Sequence, residues 1–462
     1  METKRTGNRG MTRREFLRGA LAVGVGATGA SILSACAAAT PAAEAPAATE
    51  VPAATEAPAP TPAVVTVNVF ESCWDGEHIA AGKKLYEDFR KANPHLDVKD
   101  RWPVGEDWTE EFIAAVAAGD PIDVVLWCGS PFTFMDEGKL LDLKPLMDAD
   151  STFDKADFYE TMTGLVVDKE GHQFGWPYNY ATTLIYYNTK MFQAAGVDFP
   201  TLDWTWDDML AKALKLTNDT GDPTTQTWGY LFRRVDTEHM CQSWGGNWVI
   251  ADEKKCDFTK PETIEALQFF SDLIYKHKCS PQAAQMAGQD EVAMFASGRV
   301  AMVGLPEWGL LEFNRVHEKE GLEYDVMLMP QGKAGRKTRL RPGQISILKA
   351  TKNPQAAWEA FKFAVSPTYE MKMQVEIPES PPPRKSVNEK KFKELLTYPK
   401  SRELFLESPK YGVYPFYDLR HGKEMEDVIW PLMDLLMLGK ERDAAALAGQ
   451  ICTEVNKKFA EL

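Results

Sequence analysis

The chain has 462 residues, of which 44% are hydrophobic and 26% charged, and its formal net charge is −15 at pH 7. One hydrophobic core rarely serves such a length, so we expect two domains. The acidity argues against nucleic acid or anionic lipid as a partner bound through bulk electrostatics.

The first 35 residues have the pattern of an export signal. Arg13 and Arg14 show the twin-arginine pattern, and the mildly apolar run 19–34 is too short for a comfortable membrane span. The run ends in Leu-Ser-Ala-Cys at residues 33–36, which resembles the lipobox of bacterial lipoproteins. That resemblance implies cleavage before Cys36 and diacylglyceryl attachment to its sulfur. A hydrophobic N-terminal anchor with a chance cysteine is the alternative.

Residues 36–63 follow as a predicted tether. Nearly all of them are Ala, Pro, Thr or Glu, without periodicity, so they cannot bury enough apolar surface to offset the entropy of ordering. We therefore predict a disordered tether behind the lipidated Cys36. The protein would be extracytoplasmic and lipid-anchored to the outer face of the cytoplasmic membrane, in a periplasm or at the cell surface.

The globular part begins near residue 64 with alternating strands and helices. Three buried, strand-like runs alternate with two helical patterns, which indicates a parallel α/β sheet. The predicted strands are 64–71, 96–102 and 122–127, and the predicted helices between them are 77–92 and 108–118.

Four further helices are predicted downstream. The first, 206–217, has Thr205 as its N-cap and Asp208 three residues later, the spacing of a capping box. The others are 264–277, 354–365 and 424–438. Pro431 lies inside the last of these and predicts a kink or a break there.

Six cysteines lie beyond Cys36, at positions 73, 128, 241, 256, 279 and 452. An even number in an exported chain permits disulfides, in 15 possible pairings. Cys73 and Cys128 each follow a predicted strand and would be neighbours if those strands are adjacent. Cys256 with Cys279 is a second possible pair, and buried free thiols are the alternative. No cysteine or histidine spacing indicates a metal site, and we predict neither metal nor cofactor.

Polar and aromatic residues follow the first and third strands. Trp74 and Asp75 come after the first strand, and Trp127 and Ser130 lie at the end of the third. Ligands of open α/β sheets bind beyond the carboxyl ends of the strands. Flat aromatic rings fit the C–H faces of sugars, whose hydroxyls require planar donors and acceptors. These positions are therefore candidates for a sugar site, with core packing as the alternative for each tryptophan.

An ordered series of short runs carries a family resemblance. The runs are 65–70 leading to Trp74, 89–94, 118–125, 175–178 leading to 184–188, 195–197, 205–208, 244–246, 295–302 and 343–344. Behind a lipobox, this succession resembles the extracellular solute-binding lipoproteins of ABC importers, family 1, the maltose-binding-like carbohydrate class. One departure is Ile122, where that family usually has proline directly before the aspartate.

The resemblance implies a two-lobed α/β periplasmic-binding-protein fold, each lobe a mainly parallel sheet flanked by helices. Lobe 1 would comprise 64–180 plus 338–378, and lobe 2 would comprise 181–337 plus 379–462. Hinge crossovers would fall at 178–181, 333–341 and 376–384. The resemblance further implies a monomeric binding protein, not an enzyme, that captures a small-molecule ligand in the cleft and meets ABC permease subunits in the membrane.

The candidate ligand-binding residues combine the strand-end positions with those matching the family. They are Trp74, Asp75, Trp127, Ser130, Tyr178, Trp244, Gly245, Gly246, Glu307, Trp308 and Gln344. Arg384, after three prolines, is expected to have a structural role at a hinge.

Other ligands and other classes remain open at this point. Asp75, Asp123 and Glu307 keep a polyamine possible, and a glycerol phosphodiester or another small polar solute is a further alternative. An exported glycan hydrolase or a structural lipoprotein has less support, because the chain has no G-x-S-x-G, HExxH or phosphate-loop motif.

Overall fold

The computed structural model describes residues 63–462, apart from 73, 75, 104–107, 130, 223–224, 287, 378–379 and the side chain of 252. The described residues belong to one compact unit. The predicted signal peptide, the lipidated Cys36 and the tether lie outside them, as do Cys73, Asp75 and Ser130.

Thirteen strands are present in the described part of the chain. They are β1 (Val65–Phe70), β2 (Leu96–Arg101), β3 (Val124–Trp127), β4 (Trp176–Thr182), β5 (Leu184–Asn188), β6 (Val249–Ile250), β7 (Lys255–Cys256), β8 (Met302–Leu305), β9 (Tyr324–Met327), β10 (Gln331–Gly332), β11 (Gly335–Arg336), β12 (Thr338–Ile347) and β13 (Gly412–Val413).

Longer and shorter α-helices alternate with these strands. They are Gly76–Ala92, Trp108–Ala118, Phe132–Asp136, Lys144–Ala149, Glu160–Thr163, Thr189–Ala194, Trp206–Leu216, Thr237–Trp244, Pro261–Tyr275, Glu291–Ala296, Gly309–Glu320, Pro354–Ala364, Pro367–Glu370, Lys385–Glu389, Leu404–Glu407, Gly422–Met437 and Ala444–Glu461. Two π-helical stretches, Met371–Glu376 and Lys390–Leu395, continue helices.

The first sheet has six strands, and β12 pairs with three of the others. β1 is parallel to both β2 and β3, as the alternating pattern predicted. β12 runs antiparallel to β3 and β4 and is parallel to β13 at its start. Helix Pro354–Ala364 covers one face, where Trp358 and Phe361 pack with Val67 and Val124 in one core. We call this sheet and its covering helices the first lobe.

The second sheet is centred on β5, which runs antiparallel to β8 and β9. Trp228 forms a parallel bridge with Val300, just before β8, and Leu231 forms one with Val303 of β8. A large core packs on this sheet from the helices Pro261–Tyr275, Gly422–Met437 and Ala444–Glu461. We call this region the second lobe. The predicted two-lobed α/β fold is confirmed, and the exact lobe limits stay a prediction. The second sheet differs from the mainly parallel sheet predicted for each lobe, because β5 runs antiparallel to both of its neighbouring strands.

Local sequence signals explain where several helices begin and end. The capping box at Thr205 is present, since Thr205 N donates to Asp208 Oδ2 at 2.9 Å and Asp208 N donates to Thr205 Oγ1 at 3.2 Å. The helix Gly422–Met437 is continuous through Pro431, so no break occurs there. We did not predict the C-terminal helix, which begins where Asp443 accepts from two backbone amides.

One disulfide prediction is wrong. Cys256 on β7 is bonded to Cys452 of the C-terminal helix, 196 residues away, and not to Cys279. Cys279 is a buried free cysteine that follows helix Pro261–Tyr275, and its Sγ lies 3.6 Å from Leu273 O in the last turn of that helix. Cys128 is disulfide-bonded, but its predicted partner Cys73 lies outside the described residues, so that pairing stays a prediction.

Candidate functional site

Strands β4 and β12 carry the chain between the lobes, and their two faces differ. On one face, Leu340 and Tyr180 pack with Met162 in a small buried core. On the other face the register pairs Arg341 with Ala181 and Gly343 with Asn179. Side chains of paired residues lie on the same side of a sheet. Asn179, Ala181 and Arg341 are only partly buried, so this second face is less buried than the first. We call it the cleft floor.

Two arginines of β12 meet carboxylates at the cleft floor. Arg341 Nε donates to Asp418 Oδ2 at 2.7 Å, and this carboxylate raises the pKa of the guanidinium above its ordinary value. Arg339 Nη1 donates to Tyr417 Oη at 3.3 Å, and its Nε lies 4.0 Å from Asp236 Oδ1. The Asp236 and Asp418 carboxylates are buried, whereas the Arg341 side chain is partly exposed, so Arg341 is the group of this set that can donate to ligand hydroxyls.

Glu307 joins the end of β8 to the last residue of β4. Its Oε2 accepts from Thr182 N at 3.0 Å, and its Oε1 accepts from Thr182 Oγ1 at 2.6 Å. Ser408 Oγ lies 2.6 Å from the same Thr182 hydroxyl. Glu307 is buried, and the loss of solvation raises its pKa to about 7. The carboxyl group therefore holds the two segments together and is not exposed to a ligand.

Trp308 follows Glu307 and has a different environment. Its side chain is 37% exposed, and among the described residues it is the only tryptophan in the exposed class. The anchored Glu307 fixes the backbone before it at the point where the chain crosses between the lobes. The arrangement can present a flat aromatic surface to a ligand with C–H faces.

Trp74 and Tyr178 belong to the core of the first lobe. Trp74 is 7% exposed, and its Nε1 donates to Glu71 Oε2 at 3.0 Å. Glu71 Oε1 also accepts from Tyr86 Oη at 2.6 Å and from Tyr369 Oη at 2.9 Å. Burial raises the pKa of Glu71 to about 7, although these donors act in the opposite direction. Tyr178 is 1% exposed in the same core.

Trp127 and Gln344 lie opposite each other where β3 meets β12. Both are buried, and Trp127 packs against Phe112 at 4.8 Å between ring centroids. Trp127 Nε1 and Gln344 Nε2 have no hydrogen-bond partner within the described part of the chain. Buried donors are seldom left unsatisfied, so this pair is a candidate for contact with water or a ligand. The sequence did not indicate that the two donors are adjacent.

Trp244, Gly245 and Gly246 lie at the end of helix Thr237–Trp244, where packing explains both glycines. Gly245 has φ 98° and ends the helix in the left-handed region. A Cβ on Gly246 would lie 2.3 Å from Thr263 Oγ1, so only glycine allows this approach of two helices.

Trp244 also lines a cavity of about 740 Å³ in the second lobe. Its ring centroid lies 5.6 Å from that of Trp206 and 5.2 Å from that of Phe269. Gln268 and Gln331 contribute to the rim. Trp308 does not line this cavity, although the sequence analysis placed Trp244 and Trp308 in one candidate site.

Arg384 is held by groups of the protein itself. Its Nε donates to Val365 O at 2.9 Å, and its guanidinium carbon lies 4.4 Å from the ring centroid of Phe158. Asp157 and Glu370 carboxylate oxygens lie 3.4 and 3.7 Å from its nitrogens. These contacts support the structural role expected for Arg384 beside the third crossover.

Comparison with known proteins identifies the family. The profile of the bacterial extracellular solute-binding proteins matches residues 75–371, more than half of the chain. The chain belongs to this family. Membership places the protein outside the cytoplasm. Among the residues that the structure describes, no helix is both long and apolar enough to cross a membrane.

Individual relatives are distant. A putative binding protein of Brucella abortus is 24% identical over 213 residues, which is 45% of this chain and 50% of the relative. The arabinooligosaccharide-binding protein of Halalkalibacterium halodurans is 28% identical over 151 residues, 31% of this chain and 32% of the relative. The chain thus spans at most about half the length of these curated relatives.

Solved structures share the fold over nearly their whole length. An ABC substrate-binding protein of Listeria monocytogenes, in complex with cycloalternan, superposes with a TM-score of 0.73 at 21% sequence identity. The match covers 86% of this chain and 99% of the Listeria chain. At this identity the match supports the two-lobed fold alone.

Proposed function

We propose that this protein is the substrate-binding component of an ABC transporter, which captures a sugar or oligosaccharide between its lobes and delivers it to a membrane permease. Family membership supplies the solute-binding part of the proposal. The observation that carries the sugar part is Trp308, an exposed aromatic ring anchored through Glu307 at the crossing between the lobes.

The chemistry of the cleft floor fits hydroxyl-rich ligands. Arg341 is partly exposed and is held by the buried Asp418, so it offers fixed donors, and Gln344 Nε2 is a buried donor without a partner in the described residues. A sugar ring stacked on Trp308 would present hydroxyls to such groups. Relatives whose names include arabinooligosaccharide or cycloalternan binding point in the same direction.

This proposal assigns an indirect role to three buried aromatic residues, Trp74, Trp127 and Tyr178. They are buried in the first lobe and would shape the wall of the site, while Trp308 and Gln344 would contact the ligand. Ligand binding would shift the population from open to closed lobes, and the permease would recognise the closed form. We expect a monomer anchored through the lipid on Cys36, and we expect no turnover of bound glycans.

A calorimetric and thermal-shift panel of mono- and oligosaccharides tests the function. We expect one saccharide class to raise the melting temperature, and Trp308→Ala to weaken its binding about tenfold, equivalent to roughly 1.4 kcal/mol of stacking. Trp308→Phe should retain most of the affinity, because a flat ring remains.

Other outcomes would contradict the proposal in recognisable ways. If polyamines or a glycerol phosphodiester raised the melting temperature and no sugar did, the ligand class would be wrong. If saccharides bound with undiminished affinity to Trp308→Ala, the site would be misplaced. If glycans were cleaved, the protein would be an enzyme.

A further inference from the structure

A segment of the second lobe lies across the carboxyl end of β3. It consists of residues 414–420, which follow β13, and we call it the clasp. β13 pairs in parallel with Thr338 and Arg339 at the start of β12, while β3 pairs with β12 from Gln344 onward. After β13 the chain therefore continues toward the first lobe, on the edge of β12 where β3 ends.

The clasp is fixed to the second lobe through Phe416. Its backbone N–H donates to Glu238 Oε2 at 2.8 Å, and this carboxylate is buried at the start of helix Thr237–Trp244. The Phe416 ring lies 5.7 Å from Trp248 and 5.4 Å from Trp430, between ring centroids. The middle of the clasp is thus part of the second-lobe core.

The flanks of the clasp contact the first lobe. Tyr414 Oη donates to Thr161 O, and Leu419 packs on the core that contains Trp127. Arg420 Nη2 lies 2.8 Å from Asp136 Oδ1. These contacts join the clasp to the first lobe.

Asp418 brings the clasp to the floor of the site. It accepts from Arg341 Nε at 2.7 Å, and Arg341 Nη2 donates to Cys128 O at 3.4 Å. A Cβ built on Gly129 would lie 3.4 Å from Arg341 Nη2 and 3.7 Å from Asp418 Oδ1. No sugar ring can pass between Gly129 and the clasp at these separations.

We propose that the clasp closes one end of the ligand cleft and sets the length of the ligand, so that the site takes a short saccharide or the terminal units of a chain. This inference rests on the proposed function. Trp308 supplies the stacking surface, and the contacts of Asp418 and Arg420 determine where the ligand must end. A polysaccharide threaded through the cleft is excluded while these contacts hold.

A glycan library of one linkage class, from mono- to octasaccharide, tests this on the full-length protein by calorimetry. We expect the wild type to bind a short homologue best, with no gain for longer chains that must extend past Gly129. Asp418→Asn and Arg420→Ala should each improve binding of the longest homologue about tenfold relative to the shortest, a change of roughly 1.4 kcal/mol.

A charge exchange and a control separate specificity from general destabilisation. Arg420→Asp combined with Asp136→Arg rebuilds the ion pair and should restore the wild-type length preference. Arg315→Ala removes an exposed arginine that forms an ion pair with Glu312 of its own helix, and should leave the preference unchanged. If the clasp had only a structural role, the clasp substitutions would change the melting temperature but not the ratio of the affinities for the longest and the shortest saccharide.

The proposal is overturned if the wild type binds a long saccharide through its interior units as tightly as a short one. It is also overturned if both clasp variants keep the wild-type length preference. If no glycan binds at all, the proposed function fails. Small-angle scattering of the ligand-free protein then tests whether the clasp holds the two lobes together. Unchanged dimensions in Arg420→Ala would refute an interlobe contact, whereas expansion would support it.

Discussion

The ends of β1 and β8 each combine a buried glutamate with a tryptophan, and the two pairs are used differently. Glu71 binds the indole N–H of Trp74 and two tyrosine hydroxyls, which fixes Trp74 inside the first-lobe core. Glu307 instead binds the backbone and hydroxyl of Thr182, which leaves Trp308 exposed. The same residue types thus build a core in one lobe and an exposed aromatic surface in the other.

The difference arises from what surrounds each carboxyl group. Helices of the first lobe bring Tyr86 and Tyr369 onto Glu71, so that three donors surround it. Glu307 lies at the junction of the lobes, where the nearest donors belong to a crossing strand. Burial raises the pKa of both groups to about 7, so this property alone does not tell a structural glutamate from one beside a site.

Replacing the two tryptophans tests this comparison most strongly. Trp74→Ala removes a large side chain from a packed core and should lower the free energy of unfolding by about 3–5 kcal/mol. Trp308→Ala should change it by less than about 1 kcal/mol, because its ring is partly in water. Urea unfolding followed by circular dichroism measures both. Equal losses would mean that Trp308 is also a core residue.

Replacing Glu71 should lower the free energy of unfolding more than replacing Glu307. This difference should be smaller than the one between the two tryptophans. Glu71→Ala leaves three buried donors without their acceptor, for an expected loss of about 3 kcal/mol. Glu307→Ala leaves only the two donors of Thr182, one of which has Ser408 nearby, so we expect about 1–2 kcal/mol. Glu318→Ala, at an exposed position of helix Gly309–Glu320, is the control. The comparison fails if Glu307→Ala is the more damaging change.

The raised pKa values predict a dependence of stability on pH. A carboxyl group with a folded pKa of about 7 and an ordinary value of 4.5 holds a proton in the folded state that the unfolded chain releases. Its contribution is fully present below pH 4.5 and is lost as the pH rises through 7. Stability should therefore fall over this window by up to about 1.4 kcal/mol per pH unit for each group.

Denaturant unfolding of matched variants measures how much each glutamate contributes to the pH dependence of stability. Glu71→Gln and Glu307→Gln cannot titrate, so each should flatten the fall in stability between pH 4.5 and 7 relative to the wild type. Buried His239, whose pKa is lowered to about 4, contributes equally to all three proteins and cancels in the difference. Parallel profiles for wild type and both variants would show that these glutamates are ionised throughout.

The elements near the start of the globular part could be predicted from sequence because their signals are local. β1 to β3 and the two helices between them follow from apolar runs and from stops such as Gly119. The capping box at Thr205 likewise involves residues three positions apart. Such patterns describe the strands, and the family resemblance supplied the two lobes and the crossing near Tyr178.

The candidate site depends on contacts between distant residues, which no local pattern encodes. Arg341 and Asp418 are 77 positions apart, and the clasp has no motif that indicates what it covers. The predicted pairing of Cys256 with the nearby Cys279 is also wrong, because the partner of Cys256 is Cys452, 196 residues away. Trp244 and Trp308 were both candidates from the family resemblance, and they differ in burial, since Trp244 is 7% exposed and Trp308 is 37% exposed.

The position of β12 has a consequence for how the chain can fold. This strand supplies the partner of β3, of β4 and of β13, yet it begins only at Thr338. A fragment that stops before it leaves one edge of β3 unpaired, and all four side chains of β3 are buried in the intact protein. Unpaired apolar edges promote aggregation. The first lobe is therefore not an autonomous N-terminal fragment, and its sheet is completed only late in synthesis.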